Sequence, residues 1–334
     1  MAARRAAKAR TFESYVRELY GPWFEAHRKT GSMTVRYLLS RVPELKAKHL
    51  SEITAWHVEK WRAARLKEVK PATVNRELAT LKAALSKAVE WRLVDGHPLT
   101  KVRQAKVDHI GRVRFLDAAE ERRLRAALDE REETLRLARD RFNAWRSTRG
   151  FVLLPNLRNR PFVDYLKPMV ILTLNTGLRR GELFSLKSVH VDLERALLTV
   201  VGVSAKSGTT RHVPLNTEAL ATLRAWIGQT QPADLLFPGK NGKRLTNVQT
   251  SWERLQAAAG IHGFRWHDMR HHFASRLVMA GVDLNTVREI LGHSDIKMTL
   301  RYAHLAPEHK AAAVARLGPP DENVAAFQKR ERAD

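Results

Sequence analysis

Between His267 and Leu305, cationic and imidazole side chains recur at fixed intervals ahead of one tyrosine. His267 and Arg270 stand three apart, His293 follows a glycine, and Thr299-Leu300-Arg301-Tyr302-Ala303-His304 brings in the phenol. A tyrosine hydroxyl is a poor nucleophile, with an ordinary pKa of ~10. Covalent chemistry at Tyr302 therefore needs an electropositive surround that favours the phenolate and neutralises the phosphate under attack. Apolar Met269, Phe273 and Leu277 at spacing four predict a helix. That helix projects His267 and Arg270 from one face, where they can grip one anion. A second helix is predicted from about Asp283 to Leu291, with Val287 and Leu291 inward and Gly292 as a left-handed stop. His293 lies just beyond that stop.

Two upstream segments belong with these. Thr176-Gly177-Leu178-Arg179-Arg180-Gly181-Glu182 follows the apolar stretch Val170 to Leu174 and puts a guanidinium directly after a glycine turn. Lys206-Ser207-Gly208-Thr209-Thr210-Arg211-His212-Val213-Pro214-Leu215 reads as a hairpin tip and its returning strand. Any one of these motifs alone is weak. In this order, T-G-L-R-x-x-E, K-S-G-T-T-R-H-V-P-L, H-x-x-R, L-G-H and T-x-x-Y-x-H resemble the tyrosine recombinases, the phage-integrase family.

The resemblance implies that Tyr302 attacks a scissile phosphate, forms a 3′-phosphotyrosyl link and releases a 5′-hydroxyl end. It also implies that Arg179 and Arg270 clamp the non-bridging oxygens, with arginine suited to bidentate contact. His293 adds a hydrogen bond, Lys206 protonates the leaving oxygen, and Glu182 orients the shell. His267 is the candidate acceptor of the tyrosine proton, since an imidazole with pKa ~6.5 works near neutrality. No cofactor, metal or ATP is called for. Gly239 to Arg244 lacks the spacing of a phosphate loop, and His267 and His271, four apart, lack the glutamate and third ligand of a zinc helix.

The rest of the chain must position these groups. Its 334 residues exceed one core, so two domains are expected. Lys plus Arg is 59 against 35 Asp plus Glu, a formal charge of +24 that calls for a polyanionic partner. The basic residues are spread over the whole length and no apolar run reaches the ~18 residues of a spanning helix, so double-stranded DNA is favoured over a membrane. The absence of cysteine fits a reducing cytoplasm, in company with the nucleoid of a bacterial or phage-carrying cell. The family resemblance adds a homotetramer on the DNA, a monomer in solution, and DNA-bending accessory proteins.

The expected architecture is mainly α with a small antiparallel sheet: an N-terminal helical core-binding (SAM-like) domain and an α/β tyrosine-recombinase catalytic domain. A basic arm occupies 1–10, and the helical DNA-binding domain 11–107. In that domain Phe12, Tyr15, Val16 and Leu19 form a stripe before Gly21-Pro22, and Ile53, Trp56 and Trp61 lie on a third helix. Pro71 opens a helix with Val74, Leu78, Leu81, Leu85 and Val89 inward. Its outer face offers Asn75, Arg76 and Lys82 to DNA, and Arg211 is a further DNA contact in the catalytic domain. The basic stretch from Leu99 to Arg114 reads as a connecting segment, with 108–114 the linker proper.

The catalytic domain takes 115–318, opening on a helix capped by Asp117 with Glu120 three residues on. Strands are expected at Val189–Asp192, Ala196–Gly202 and Thr209–Pro214. An insert at about 130–168 departs from the family pattern, and its Arg146, Arg149, Arg158 and Arg160 suit either DNA contact or structural elaboration. A tail follows at 319–334, suited to docking on a neighbouring subunit. About ten residues precede the bundle, so either the form is two-domain or the chain begins late. The competing functions are type IB topoisomerase relaxation, DNA-binding regulation on the same fold, and a metal-dependent nuclease.

Overall fold

The structure is a computed structural model that describes residues 10–28, 30–107, 113–202 and 209–306. The chain divides into two compact units, Met1–Gly111 and Arg112–Asp334.

The first unit is a helical bundle. α1 (Phe12–Tyr15) runs through a π-helical turn (Val16–Tyr20) straight into α2 (Gly21–His27), so Gly21-Pro22 does not break the helix. The wider turn lets the Gly21 N–H reach Val16 O and absorbs a proline that has no N–H to give. α3 (Gly31–Arg41), α4 (Ala55–Glu68) and α5 (Pro71–Glu90) complete it. Phe12, Tyr15, Leu38, Val58, Trp61, Val74, Leu78, Leu81 and Leu85 form the shared core.

Three expectations change here. Ile53 precedes α4 rather than lying on it, and Trp56 is 65% exposed, leaving Val58 and Trp61 as its inward residues. The first part of the connecting segment is bundle, since Leu99 and Val102 are buried in its core. Asn75 and Lys82 are half-buried and engaged by the protein itself rather than standing on an open face. The Asn75 amide donates to Ala105 O and accepts from Ala105 N, both at 2.8 Å, and Lys82 Nζ donates to Val102 O. They bind the returning chain to α5, and only Arg76 of the three is exposed.

In the second unit α6 (Ala118–Ser147) starts with the expected box: Asp117 accepts from Glu120 N at 2.7 Å and Glu120 accepts from Asp117 N. Leu124, Ala127 and Leu128 bury its first turns. Beyond Glu132 nothing on it is buried, nor is any residue until Phe162. The middle of the insert, 133–161, thus has no buried residue, and its own arginines bind it together. Arg139 donates to Pro155 O at 2.8 Å, Arg146 to Val152 O at 2.6 Å, and Arg158 pairs with Glu133 and Asp140. Arg146 and Arg158 are thus engaged within the insert, Arg149 covers the Trp145 ring, and Arg160 is exposed.

α7 (Leu166–Thr176) is buried along most of its length at the centre of this unit, followed by α8 (Arg180–Phe184). A three-stranded antiparallel sheet follows in the order β1 (Val191–Asp192), β2 (Leu197–Val200), β3 (Arg211–Pro214), with Leu198 opposite Val213. The strands are shorter than expected, because Val189 falls in a 3-10 turn. α9 (Thr217–Thr230), α10 (Gln249–Ala258), α11 (Asp268–Met279), α12 (Leu284–Leu291) and the short α13 (Lys297–Leu300) complete the unit. Among the described residues no helix is long and apolar enough to cross a membrane.

Candidate active site

Two left-handed glycines bring the site together. α7 ends at Gly177 (φ +62°), where a Cβ would lie 2.5 Å from a Phe273 ring carbon and 3.0 Å from a Leu291 methyl. α12 ends at Gly292 (φ +65°), where a Cβ would lie 2.8 Å from Arg211 Cδ. Only glycine permits both the backbone and the contact. The end of α7 is thereby pressed against α11 and the end of α12 against Arg211 of β3.

α11 supplies the guanidinium that joins them. Arg270, 3% exposed, donates to Gly177 O at 2.8 Å and to Leu291 O. Both carbonyls belong to helix C-termini, whose partial negative charge suits a buried cation. Arg179 caps α8, and Glu182 reaches back to accept from its backbone N at 2.9 Å and its Nη1 at 2.8 Å. Arg179 Nη2 also donates to Gly292 O at 3.3 Å.

Glu182 serves a second arginine. Arg211 donates to both its oxygens, at 3.1 and 2.8 Å, and its Nε donates to Ile290 O at 2.9 Å. At 8% exposure Arg211 is a buried brace, which corrects its assignment as a DNA contact. The strand explains it: Arg211 shares the inward phase of Val213, so the chain buries it and must supply a carboxylate. Burial alone would raise the Glu182 carboxyl, but the Arg211 bonds and charge, with Arg179, hold it down at about 2.

His293 is buried, its Nδ1 2.8 Å from Thr299 Oγ1. Tyr302 is 1% exposed and packs with Ala274, Val278, Val287 and Leu291. Its hydroxyl lies 2.6 Å from Nδ1 of His271, a residue that sequence spacing offered only as a metal decoy. His267, the expected proton acceptor, instead abuts the His271 ring edge-on at 5.2 Å. The H-H pair four apart was the available signal, but nothing in the sequence says which imidazole meets a phenol 31 residues downstream of one of them.

A cleft of about 450 Å³ is lined by Arg179, His267, Arg270, His271, His293, Arg301 and Tyr302. Five of the six residues expected to do chemistry therefore meet in one place. Lys206 lies outside the described residues, as does the 319–334 tail. Burial, then the nearby arginines, push His293 down to about 3, while burial and then His267 push His271 down to about 4. Burial, then Arg270, also lowers His267. His293 and His271 are thus neutral at pH 7, and His267 is shifted in the same direction. Burial, then the charge of Arg179, lowers Arg270 to about 9, which leaves it charged. Burial raises the Tyr302 hydroxyl despite opposing pulls from Arg270 and Arg301.

Arg179 and Arg211 thus share the Glu182 carboxylate, while Arg270 beside them is held only by uncharged carbonyls. The excess positive charge, held away from water, is what an entering anion would relieve. Among the described residues no three His, Asp or Glu side chains gather as a metal site.

Residues 153–309 match the model of the phage integrase family and residues 14–106 that of the phage integrase N-terminal domain. The chain belongs to the phage integrase family. Over 251 residues it is 32% identical to the integrase of Salmonella phage P22, covering 71% of this chain and 55% of that protein. It is 38% identical over 157 residues to tyrosine recombinase XerC of Azotobacter vinelandii, 45% of this chain and 52% of that one. The aligned part thus spans about half the length of the relatives it matches. Among solved structures, the Tn1549 transposon integrase in complex with a circular intermediate DNA superimposes with a TM-score of 0.67 at 21% identity, covering 91% of this chain and 99% of that one. A lambda integrase dimer bound to a COC′ core site gives 0.66 at 18%, over 90% and 79%. These likenesses establish the fold: a helical N-terminal domain and a mainly helical catalytic domain with a small antiparallel sheet.

Proposed function

We propose that this protein is a site-specific DNA recombinase that cuts and rejoins duplex DNA through a 3′-phosphotyrosyl link to Tyr302. One observation carries the reading: Arg179, Arg270, His293 and Tyr302, from four separate segments, line one cleft with excess positive charge. A scissile phosphate seated there takes hydrogen bonds from Arg179 and Arg270 on its non-bridging oxygens and from neutral His293. Loss of one such donor costs ~100- to 1000-fold in rate. Glu182 fixes Arg179, and Lys206 protonates the departing 5′ oxygen. The link stores the energy of the broken bond, so a 5′-hydroxyl from another strand reverses the attack and joins new partners without ATP.

In this reading residues 11–107 form the core-binding domain, 108–114 the linker and 115–318 the catalytic domain, with DNA recombination sites as partner. A lambda integrase structure holds a tetramer on a Holliday junction, which supports four copies acting together here. The setting is the cytoplasm, on bacterial or phage DNA. The test is covalent capture on nicked duplexes whose short cleaved strand diffuses away. The wild type is expected to yield a protein-linked strand, and Tyr302→Phe to bind the same duplex without forming one. An adduct that persists in Tyr302→Phe places the nucleophile elsewhere.

A further inference from the structure

The proton of Tyr302 must go somewhere, and the phenol already has an acceptor. Tyr302 Oη and His271 Nδ1 are 2.6 Å apart, with ring centroids at 5.9 Å. A contact this short has a proton between the two atoms, and a neutral imidazole nitrogen can take it from the phenol. Behind His271 stands His267, edge-on, with its own ring opening on the cleft. The charged and titratable groups around His271 are Tyr302, His267, His293, Arg270, Arg301 and Asp268. Burial first, then His267, Arg301 and Arg270, disfavour a proton on it against the pull of Asp268, which keeps it an acceptor while the cleft holds no anion. A phosphate brings negative charge among those same cations and makes the imidazolium tolerable. The acceptor thus strengthens when there is something to attack.

We propose that His271 is the general base of this site. The Tyr302 O–H bond breaks as its proton passes to His271 Nδ1, the phenolate oxygen bonds to phosphorus, and the P–O5′ bond breaks. The departing oxygen takes its proton from the donor assigned above to Lys206. The inference rests on Tyr302 as nucleophile, and it moves the base one helical turn from His267. Before DNA arrives, the same contact holds the phenol in one orientation, so its reorganisation is small when the phosphate enters.

The experiment is single-turnover covalent capture on a nicked duplex whose sequence is selected from randomised DNA by capture with the wild-type protein. His271→Ala is expected to slow capture ~100- to 10,000-fold with DNA binding retained. Added imidazole is expected to restore at least about tenfold of that loss, in proportion to its free-base form. His267→Ala is expected to gain nothing from imidazole. His271→Gln keeps a side chain that can hydrogen-bond the phenol but takes no proton, so it is expected to melt with the wild type and still lose capture. A substrate with sulfur in place of the bridging 5′ oxygen needs no leaving-group proton and is expected not to rescue either His271 variant.

Capture by His271→Ala or His271→Gln within threefold of wild type overturns the proposal, as does imidazole rescue of His267→Ala instead, or failure of free-base imidazole to restore His271→Ala. An adduct in Tyr302→Phe marks the other failure, that of the nucleophile itself.

Discussion

Glu182 is the one carboxylate between Arg179 and Arg211, and replacing it by glutamine tests whether the site is assembled around that charge. The carboxyl is held at about 2 against an ordinary 4.5, and its side chain is almost wholly buried. That difference of ~2.5 units is worth on the order of 3 kcal/mol at neutral pH, in line with the roughly 3–5 kcal/mol lost when one partner of a buried ion pair is removed. For a domain of this size the melting point of Glu182→Gln should fall by roughly 6–12 °C. Because the folded pKa is depressed, the stabilisation is fully present above the unfolded value of 4.5 and is lost as pH falls through about 2. Roughly two-fifths should survive at pH 3. Thermal unfolding by circular dichroism, wild type beside Glu182→Gln from pH 7 down to pH 3, should therefore show the gap narrowing below about 4.5. Covalent capture should fall with it, because Arg179 loses its anchor. A gap below about 1 kcal/mol, or one that does not narrow with acid, refutes Glu182 as the hub.

Arg270→Lys keeps a charge but cannot bridge Gly177 O and Leu291 O while holding a phosphate; capture should drop ~100- to 1000-fold with DNA affinity retained. Gly292→Ala forces a left-handed alanine whose Cβ meets Arg211 Cδ at 2.8 Å. Urea unfolding should show a loss of about 1–2 kcal/mol. Thr299→Val removes the hydroxyl on His293 Nδ1 and should slow capture on the order of tenfold, while Thr299→Ser keeps most of the rate.

The parts of this structure that were legible in the sequence are those whose cause is local. Asp117 with Glu120 fixes a helix start, Gly177 and Gly292 fix two helix ends, and the four-three spacing from Val74 to Leu85 fixes a face. The arginine, histidine and tyrosine motifs are local too, and their convergence followed from family resemblance rather than from spacing. What escaped depends on partners far along the chain. Asn75 and Lys82 looked like an outer basic face until the segment at 102–105 returned to cover them. The choice between His267 and His271 turns on where a tyrosine from a later segment lands. The inward turn of Arg211 is legible in its phase with Val213, but an arginine on a strand reads as a surface group until its carboxylate partner, 29 residues upstream, is known.

The same bonds explain why the proposed mechanism gives the phosphate to Arg179 and Arg270 rather than to Arg211. Arg211 has committed Nε, Nη1 and Nη2 to Ile290 O and Glu182, so three of its five N–H groups are spent and its Nε is not free. Arg179 and Arg270 each spend only their two Nη atoms on protein acceptors. Among the described residues nothing engages Nε of either one, and each Nη retains a second N–H. Both also line the cleft, which Arg211 does not. The fold thus uses one arginine fully to hold a carboxylate, uses that carboxylate to fix a second, and fixes the third with helix-end carbonyls that carry no full charge. Two partly satisfied guanidiniums stay adjacent because their tethers are this rigid, and their mutual repulsion is the free energy that an incoming anion relieves.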